Sequence, residues 1–292
     1  MSHHDDWDTA IVIDNGSGVV KAGWAGHDLP SVIFPSVVGE PFIQEDPSER
    51  VLYVGDGVAP LAGAVKVRYP LAHGKVNNQG WDDLELLWDH VYDLLEADSK
   101  DHPVLLTEPP LNPKKNREEM IERMFEKYRV PASYIAIQAV LALYASGRTT
   151  GLVLDCGDGV SHCVPVYEGY SLPHAIHRLD IAGRDLTEYM SRLLMWRGYS
   201  FTTSAEQELV REIKEKYGFV KLPKQKIHKK DIQITHDLLS GERVTIDEER
   251  YQVTEALFDP SLVGKEAMGI HQLTFKTIND CDIDLRKGDL HK

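Results

Sequence analysis

Apolar residues along the chain follow two periods, one suited to strands and one to helices. Ala10-Ile11-Val12-Ile13 is an apolar run that stops at Asp14-Asn15-Gly16-Ser17-Gly18 and resumes as Val19-Val20-Lys21-Ala22-Gly23. That order predicts strand, tight turn, strand over 9–23. The layout recurs at 151–166, as Leu152-Val153-Leu154, then Asp155-Cys156-Gly157-Asp158-Gly159, then Val160-Ser161-His162-Cys163-Val164. Two Asp-x-Gly-x-Gly turns, each behind an apolar strand, point to a duplicated unit and two related lobes.

Helical spacing dominates elsewhere. Asn116 to Lys127 carries Met120, Ile121, Met124 and Phe125 three and four apart, which predicts a helix. Pro103 to Thr107 predicts a short strand closed by Glu108-Pro109-Pro110. Ile137 to Tyr144 reads as a buried helix ending near Gly147, and Arg184 to Arg197 as another helix. Thr203-Ser204-Ala205-Glu206 is a capping box: the Thr hydroxyl accepts the amide three residues on while Glu206 reaches back. It opens an amphipathic helix with Leu209, Val210, Ile213 and Tyr217 on one face. Strands alternating with helices predict an α/β fold.

Charge narrows the partners. The 292 residues hold 46 acidic against 32 basic side chains, a net charge of -14. That argues against a nucleic-acid or anionic-membrane surface, which selects basic faces. No apolar run is long enough to span a bilayer. The exception to the acidity is Lys221 to Asp231, with Lys221, Lys224, Lys226, Lys229 and Lys230, which reads as a solvated loop or, less simply, a binding patch. The three cysteines form neither a metal-ligand spacing nor an even framework, and the start MSHHDDWD has no apolar core for export. A reducing intracellular compartment is the simplest expectation. His3 and His4 read as part of a polar terminus rather than a metal site.

The two turns carry the candidate chemistry. Glycines let backbone amides approach a ligand closely, and a turn of such amides is an anion-binding concavity. Ser17 adds a hydroxyl and Lys21 a positive charge. Asp14 and Asp155, just after the strands, are placed to face a shared cation such as Mg²⁺, held through its waters. Two facing hairpins would clamp a polyphosphate from both sides. Taken singly, each residue has a plainer reading. Lys21 is then a surface charge, Gln138 a core amide, His162 a packed strand residue, His73 a hydrogen-bonded structural residue, and Arg211 and Lys214 a solvated helix face.

Longer stretches resemble the actin family. They include Ile13-Asp14-Asn15-Gly16-Ser17-Gly18, TEPPLNPKKNREEM (107–120), the block from Tyr134 to His174, RLDIAGRDLTEY (178–189) and RGYSFTTSAEQELVREIKEKYG (197–218). The resemblance runs from about Thr9 to the last residue. It implies an actin-like ATPase fold of two related lobes: 1–145, with a small insert near 35–69, and 146–292, with an insert near 182–268. It implies binding of ATP or ADP with Mg²⁺ and slow hydrolysis to ADP and phosphate. By motif, Ser17, Gly18, Val19 and Lys21 match the first phosphate loop, and Gly157, Asp158, Gly159 and Val160 the second. Asp14, Gln138 and Asp155 match the residues around the Mg²⁺ hydration shell, and Gln138 and His162 those that position the attacking water. Gly183, Arg211, Lys214 and Glu215 match the nucleoside side, and His73 the histidine below the nucleotide. Such a reaction is carried by positioning and electrostatics, so the water needs orientation more than a strong base.

The resemblance also implies a cytoplasmic, cytoskeletal setting, or a nuclear one for an actin-related subunit. Its partners would be actin, actin-binding proteins or a larger complex. Three departures shape the expectations. Glu40 to Leu52 stands in place of the filament-contact loop but is shorter and acidic, with Pro41 and Pro47. The lysine-rich 221–240 replaces a helix-containing stretch, and Ala72 stands where the family has Glu. In the family the sequence continues past this point into a glycine-rich adenosine motif and further sheet and helices, so the second lobe is expected to be incomplete. The expectation is that this chain alone does not form filaments. A non-catalytic scaffold subunit and a small-molecule kinase of the same ATPase clan are the alternative functions, though no acceptor-substrate motif is found for the kinase.

Overall fold

Alternate residues of Ile11–Asn15 (β1) are buried, so one face of this strand is fixed against a core while Asp14 is carried on the other. In the computed structural model, β1 pairs antiparallel with Val19–Trp24 (β2), and β2 with Val32–Pro35 (β3). The structure describes residues 9–43, 51–61, 63–76, 80–225, 227–238, 241 and 243–286, with Ser204, Ala205 and Lys229 described by backbone alone. His3, His4, residues 44–50 of the acidic stretch, Lys226 and residues 287–292 lie outside them.

A small sheet follows, in which Val38–Pro41 (β4) pairs with both Tyr53–Val54 (β5) and Val65–Arg68 (β6). The short hairpin Leu71–Ala72 (β7) and Lys75–Val76 (β8) leads to helix Gly80–Leu95 (α1). Val104–Glu108 (β9) then lies parallel to β1. Helix Lys114–Glu126 (α2) crosses over to Ser133–Ile137 (β10), parallel to β9. The sheet order is β10-β9-β1-β2-β3. Ile11, Ile13 and Leu106 share one core with Leu84, Leu87 and Trp88 of α1 and Met120 and Met124 of α2. Helix α2 starts two residues before its apolar spacing does, because Pro113 at the cap has its φ fixed at -54° and has no amide hydrogen to satisfy.

Helix Gln138–Ala145 (α3) leads to the second sheet. Gly151–Cys156 (β11) pairs antiparallel with Ser161–Tyr167 (β12), which pairs with Tyr170–Ser171 (β13) and His177–Leu179 (β14). The β11-β12-β14 arrangement repeats β1-β2-β3. Helices Gly183–Trp196 (α4) and Ser204–Tyr217 (α5) follow. A one-turn helix Lys229–Ile232 (α6), the hairpin Ile234–Asp237 (β15) and Arg243–Ile246 (β16), helix Glu249–Glu255 (α7) and helix Ile270–Asp280 (α8) complete the described chain. Met190, Leu194, Val210, Ile213, Ile246 and Val253 form the core of α4, α5, α7 and the last hairpin. The basic segment is irregular over its described residues up to 228, as its composition predicts, but ends in α6 rather than continuing as loop. Among the described residues no helix is long and apolar enough to cross a membrane.

Candidate functional site

The first hairpin delivers Asp14 at the end of β1, opposite Lys21 on β2. Asp14 Oδ1 accepts from Thr107 Oγ1 at 2.6 Å and from Gln138 Nε2 at 3.0 Å. Thr107 comes from β9 and Gln138 is the first residue of α3, so the two neighbouring parallel strands aim both partners at one carboxylate. The Gln138 amide also donates to Thr107 Oγ1 at 3.2 Å. With its nitrogen so engaged, the Gln138 carbonyl oxygen is left as an acceptor. Asn15 is buried; its Oδ1 accepts from Trp88 Nε1 at 2.9 Å, while its Nδ2 has no hydrogen-bond partner among the described residues.

The second hairpin places Asp155 opposite His162, as the first places Asp14 opposite Lys21. Asp155 Oδ2 stands 3.5 Å from His162 Nε2. His162 is 1% exposed and neither ring nitrogen makes a hydrogen bond among the described residues. Burial pushes its pKa below the ordinary 6.5, against the pull of Asp155, and Arg178 adds to the lowering. The ring is therefore neutral at pH 7, with one nitrogen able to accept and the other to donate.

The two turns meet tip to tip. A Cβ on Gly18 would lie 2.7 Å from Asp158 Cβ, and one on Gly159 would lie 2.5 Å from Ser17 Oγ. Only glycine admits this approach of one backbone to the other loop. Arg184, at the start of α4, ties the contact: Nη2 donates to the Ser17 carbonyl and to Asp158 Oδ2, each at 2.9 Å. Its guanidinium also lies over the Tyr69 ring, 4.1 Å from the centroid. The Gly74 amide donates to Ser17 Oγ at 3.1 Å, and His73 Nδ1 donates to the Gly159 carbonyl at 2.9 Å. His73 holds a left-handed φ of 48°, uncommon without glycine.

From α5, Lys214 Nζ donates to the Gly183 carbonyl at 2.8 Å, and burial lowers its pKa against the pull of Glu215 and Asp158. Arg211 pairs with Glu215 at 3.0 Å along the same helix. These side chains border a cleft of about 570 Å³, within the usual range for a small-ligand site. The residues matched in the sequence to phosphate, cation, water or nucleoside line this one cleft, namely Asp14, Ser17, Gly18, Val19, Lys21, Gln138, Asp155, Gly157, Asp158, Gly159, Val160, His162, Gly183, Arg211, Lys214 and Glu215, whereas His73, matched to the histidine below the nucleotide, is outside the lining and touches it only through the Gly159 carbonyl. Sequence reasoning assigned no role to Thr107 or Arg184. Thr107 sits inside a quoted run and Arg184 follows Gly183, but nothing local marks either as a partner of Asp14 or Ser17.

The donor set fits a polyphosphate with a hard cation. Asn15 Nδ2 is a buried donor without a partner, the interlocked glycines leave no side chain between backbone and cleft, and Lys21 is exposed at its edge. Among the described residues no three His, Cys, Asp or Glu side chains cluster as a direct ligand set. Two carboxylates and an amide suit a cation such as Mg²⁺ that keeps most of its waters. A family comparison agrees with the geometry: the family model described as Actin matches residues 5–291, nearly the whole chain.

Proposed function

The chain belongs to the actin family, and from that premise we propose that it binds ATP or ADP with Mg²⁺ in the cleft between its two hairpins. The observation that carries the reading is the convergence of both turns, Gln138 and the Lys214 face of α5 on one cleft of about 570 Å³. We read residues 1–145 and 146–292 as the two lobes that meet there, because each sheet is built within its own stretch.

When bound, the Mg-nucleotide supplies a phosphoanhydride whose charge the metal spreads. The chain's own residues bind and orient. The Ser17–Val19 and Gly157–Val160 backbones would hold the phosphates, with Lys21 as a point charge. Asp14 and Asp155 would hold the cation's waters, and Asp14 is fixed by Thr107 and Gln138. The Gln138 carbonyl oxygen and the neutral His162 ring are the acceptors available to orient a water for slow hydrolysis. Arg184 keeps the two turns together.

The test is titration of the full chain with a fluorescent ATP analogue in the presence of Mg²⁺ and, separately, with the metal chelated. Saturable binding that ATP and ADP compete away, weakened by chelation, is the expected result. No saturable binding in either condition would overturn the reading.

A further inference from the structure

Away from the cleft, Asp89, Tyr92 and Asp93 of α1 and Glu96 just past its end stand three and four apart, on one face, and line an open depression of about 580 Å³. Asp98 and Tyr128 also line it, and no residue of this lining borders the cleft. The charge is unfavourably placed as it stands. Asp93 lies in the last turn of α1, where no basic side chain occurs, and Glu96 and Asp98 follow it. A helix C-terminus is the negative end of the dipole and disfavours carboxylates. Glu96 holds a left-handed φ of 53° where glycine is the common residue, and the Ala97 amide closes the helix there on the Tyr92 carbonyl at 3.1 Å. Asp89 has Lys127 at 3.4 Å and Asp98 has Lys100 at 3.6 Å, whereas Asp93 and Glu96, both exposed, have no cationic partner among the described residues.

A second observation at the same place points to a ligand. Tyr92 is 7% exposed and lines the depression, and its hydroxyl makes no hydrogen bond among the described residues. Its ring stacks on that of Tyr128, with centroids 5.5 Å apart and planes 26° apart. The Tyr128 hydroxyl is engaged, donating to Asp89 Oδ1 at 2.6 Å. The Tyr92 hydroxyl is not, and burial pushes its pKa up, so it keeps its proton and its oxygen can accept. Lys127 Nζ already lies over the Tyr128 ring, 5.1 Å from the centroid. An aromatic floor with an anionic rim suits an organic cation. A metal ion is disfavoured, because among the described residues no three His, Cys, Asp or Glu side chains cluster as ligands.

We propose that this depression docks a basic segment of a partner protein, seating an arginine side chain on Tyr92 and Tyr128 with its donors toward Asp93 and Glu96. Charge complementarity selects the partner: unpaired carboxylates at the negative end of a helix are relieved by a cation. Arginine fits better than lysine. Its guanidinium is flat, stacks on aromatic rings, and carries enough donors to serve two carboxylates and the Tyr92 oxygen together.

The experiment titrates the full chain into a fluorescein-labelled peptide of arginine, glycine and serine at low ionic strength, followed by fluorescence anisotropy. Matched peptides carry lysine, or the uncharged arginine analogue citrulline. The arginine peptide should bind saturably, the lysine peptide about threefold more weakly, and the citrulline peptide not measurably. Mg-ATP should leave the binding unchanged. Asp93→Asn with Glu96→Gln should weaken the arginine peptide about tenfold, the loss expected of a charge-assisted contact. Tyr92→Phe keeps the ring and removes only the hydroxyl. It should weaken the peptide about threefold, yet the free variant should melt no lower than wild type, because the lost hydroxyl bonds to nothing among the described residues. Glu122→Gln with Glu126→Gln, exposed on α2 outside the lining, should bind as wild type does. Absence of saturable binding overturns the proposal. So do equal losses in the two acidic pairs, which mean diffuse attraction, competition by Mg-ATP, which puts the peptide in the cleft, and unchanged affinity in Tyr92→Phe.

Discussion

Arg184, at the start of α4, reaches across to Ser17: its Nη2 lies 2.9 Å from the Ser17 carbonyl oxygen and shares that donor with Asp158. The same guanidinium covers the Tyr69 ring. One side chain thus ties the first turn to the second. Its side chain is 28% exposed, so solvent screens the ion pair in part. Arg184→Ala should lower stability by about 1–2 kcal/mol, given the usual worth of hydrogen bonds to charged groups. For a chain of this size that is a fall in melting temperature of roughly 2–4 °C per kcal/mol. Arg184→Lys should recover little of it, since an ammonium lacks the planar fork. Thermal unfolding of both variants checks this; melting temperatures equal to wild type would show that the tie carries no free energy.

Asp14 and Asp155 differ in how firmly they are held, and their variants should differ accordingly. Asp155→Ala removes one of the two carboxylates proposed to hold the cation's waters. Affinity for the Mg-nucleotide should drop about tenfold or more, the equivalent of roughly 1.5–3 kcal/mol for a charge-assisted contact. Thr107→Val keeps the Asp14 charge but removes the 2.6 Å hydrogen bond that orients it. A smaller loss is expected there, about fivefold, with the Mg²⁺ dependence changed more than the affinity for metal-free nucleotide. Analogue titrations across a Mg²⁺ series would separate the two. Equal affinity of Asp155→Ala and wild type would remove the aspartate from the site.

Gln138 tests whether the chain turns the nucleotide over. If its carbonyl oxygen orients a water, Gln138→Ala should lower the rate of phosphate release by about 10²-fold while binding falls less than tenfold, the pattern of an interaction made mainly in the transition state. The amide also donates to Asp14 at 3.0 Å, so some loss of binding is expected. Parallel falls in both measurements would mean that Gln138 only supports Asp14.

How much of this was legible follows the range of the forces involved. Both hairpins could be read because strand, turn and glycine requirements are local, and the repeat of Asp14 to Gly18 at Asp155 to Gly159 doubles the signal. The Thr203 cap was legible for the same reason. The Thr107 hydrogen bond to Asp14 was not. It exists because β9 lies parallel to β1 with Leu106 beside Ile13, a register that no local pattern encodes. Arg184 is further from its target still: α4 must first pack before its guanidinium can meet Ser17. The start of α2 was misplaced by two residues because the apolar spacing begins later than the turn set by Pro113.

The N-terminus of α5 joins local capping to the cleft and gives a prediction with a pH sign. Thr203 Oγ1 accepts the Glu206 amide at 3.3 Å, and Glu206 Oε2 accepts the Thr203 and Thr202 amides at 2.8 and 2.7 Å. The helix these bonds begin carries Arg211, Lys214 and Glu215 along the cleft. Thr203→Ala should cost about 1 kcal/mol, as loss of such caps does. The two accepted amides, Thr203 first, hold the Glu206 carboxyl below its ordinary 4.5. A depressed carboxyl pKa means that the unfolded chain binds more protons, so the stabilisation is present above about 4.5 and is lost as pH falls through the folded value. Its size is small because Glu206 is nearly all in solvent. Glu206→Gln should therefore be slightly less stable than wild type at pH 7 and should converge with it on acidification below about 4.5. Urea unfolding at neutral pH and near pH 4, followed by far-UV circular dichroism, measures both. A difference between the two proteins that stays constant or grows on acidification would show that the carboxylate is not what holds this helix start.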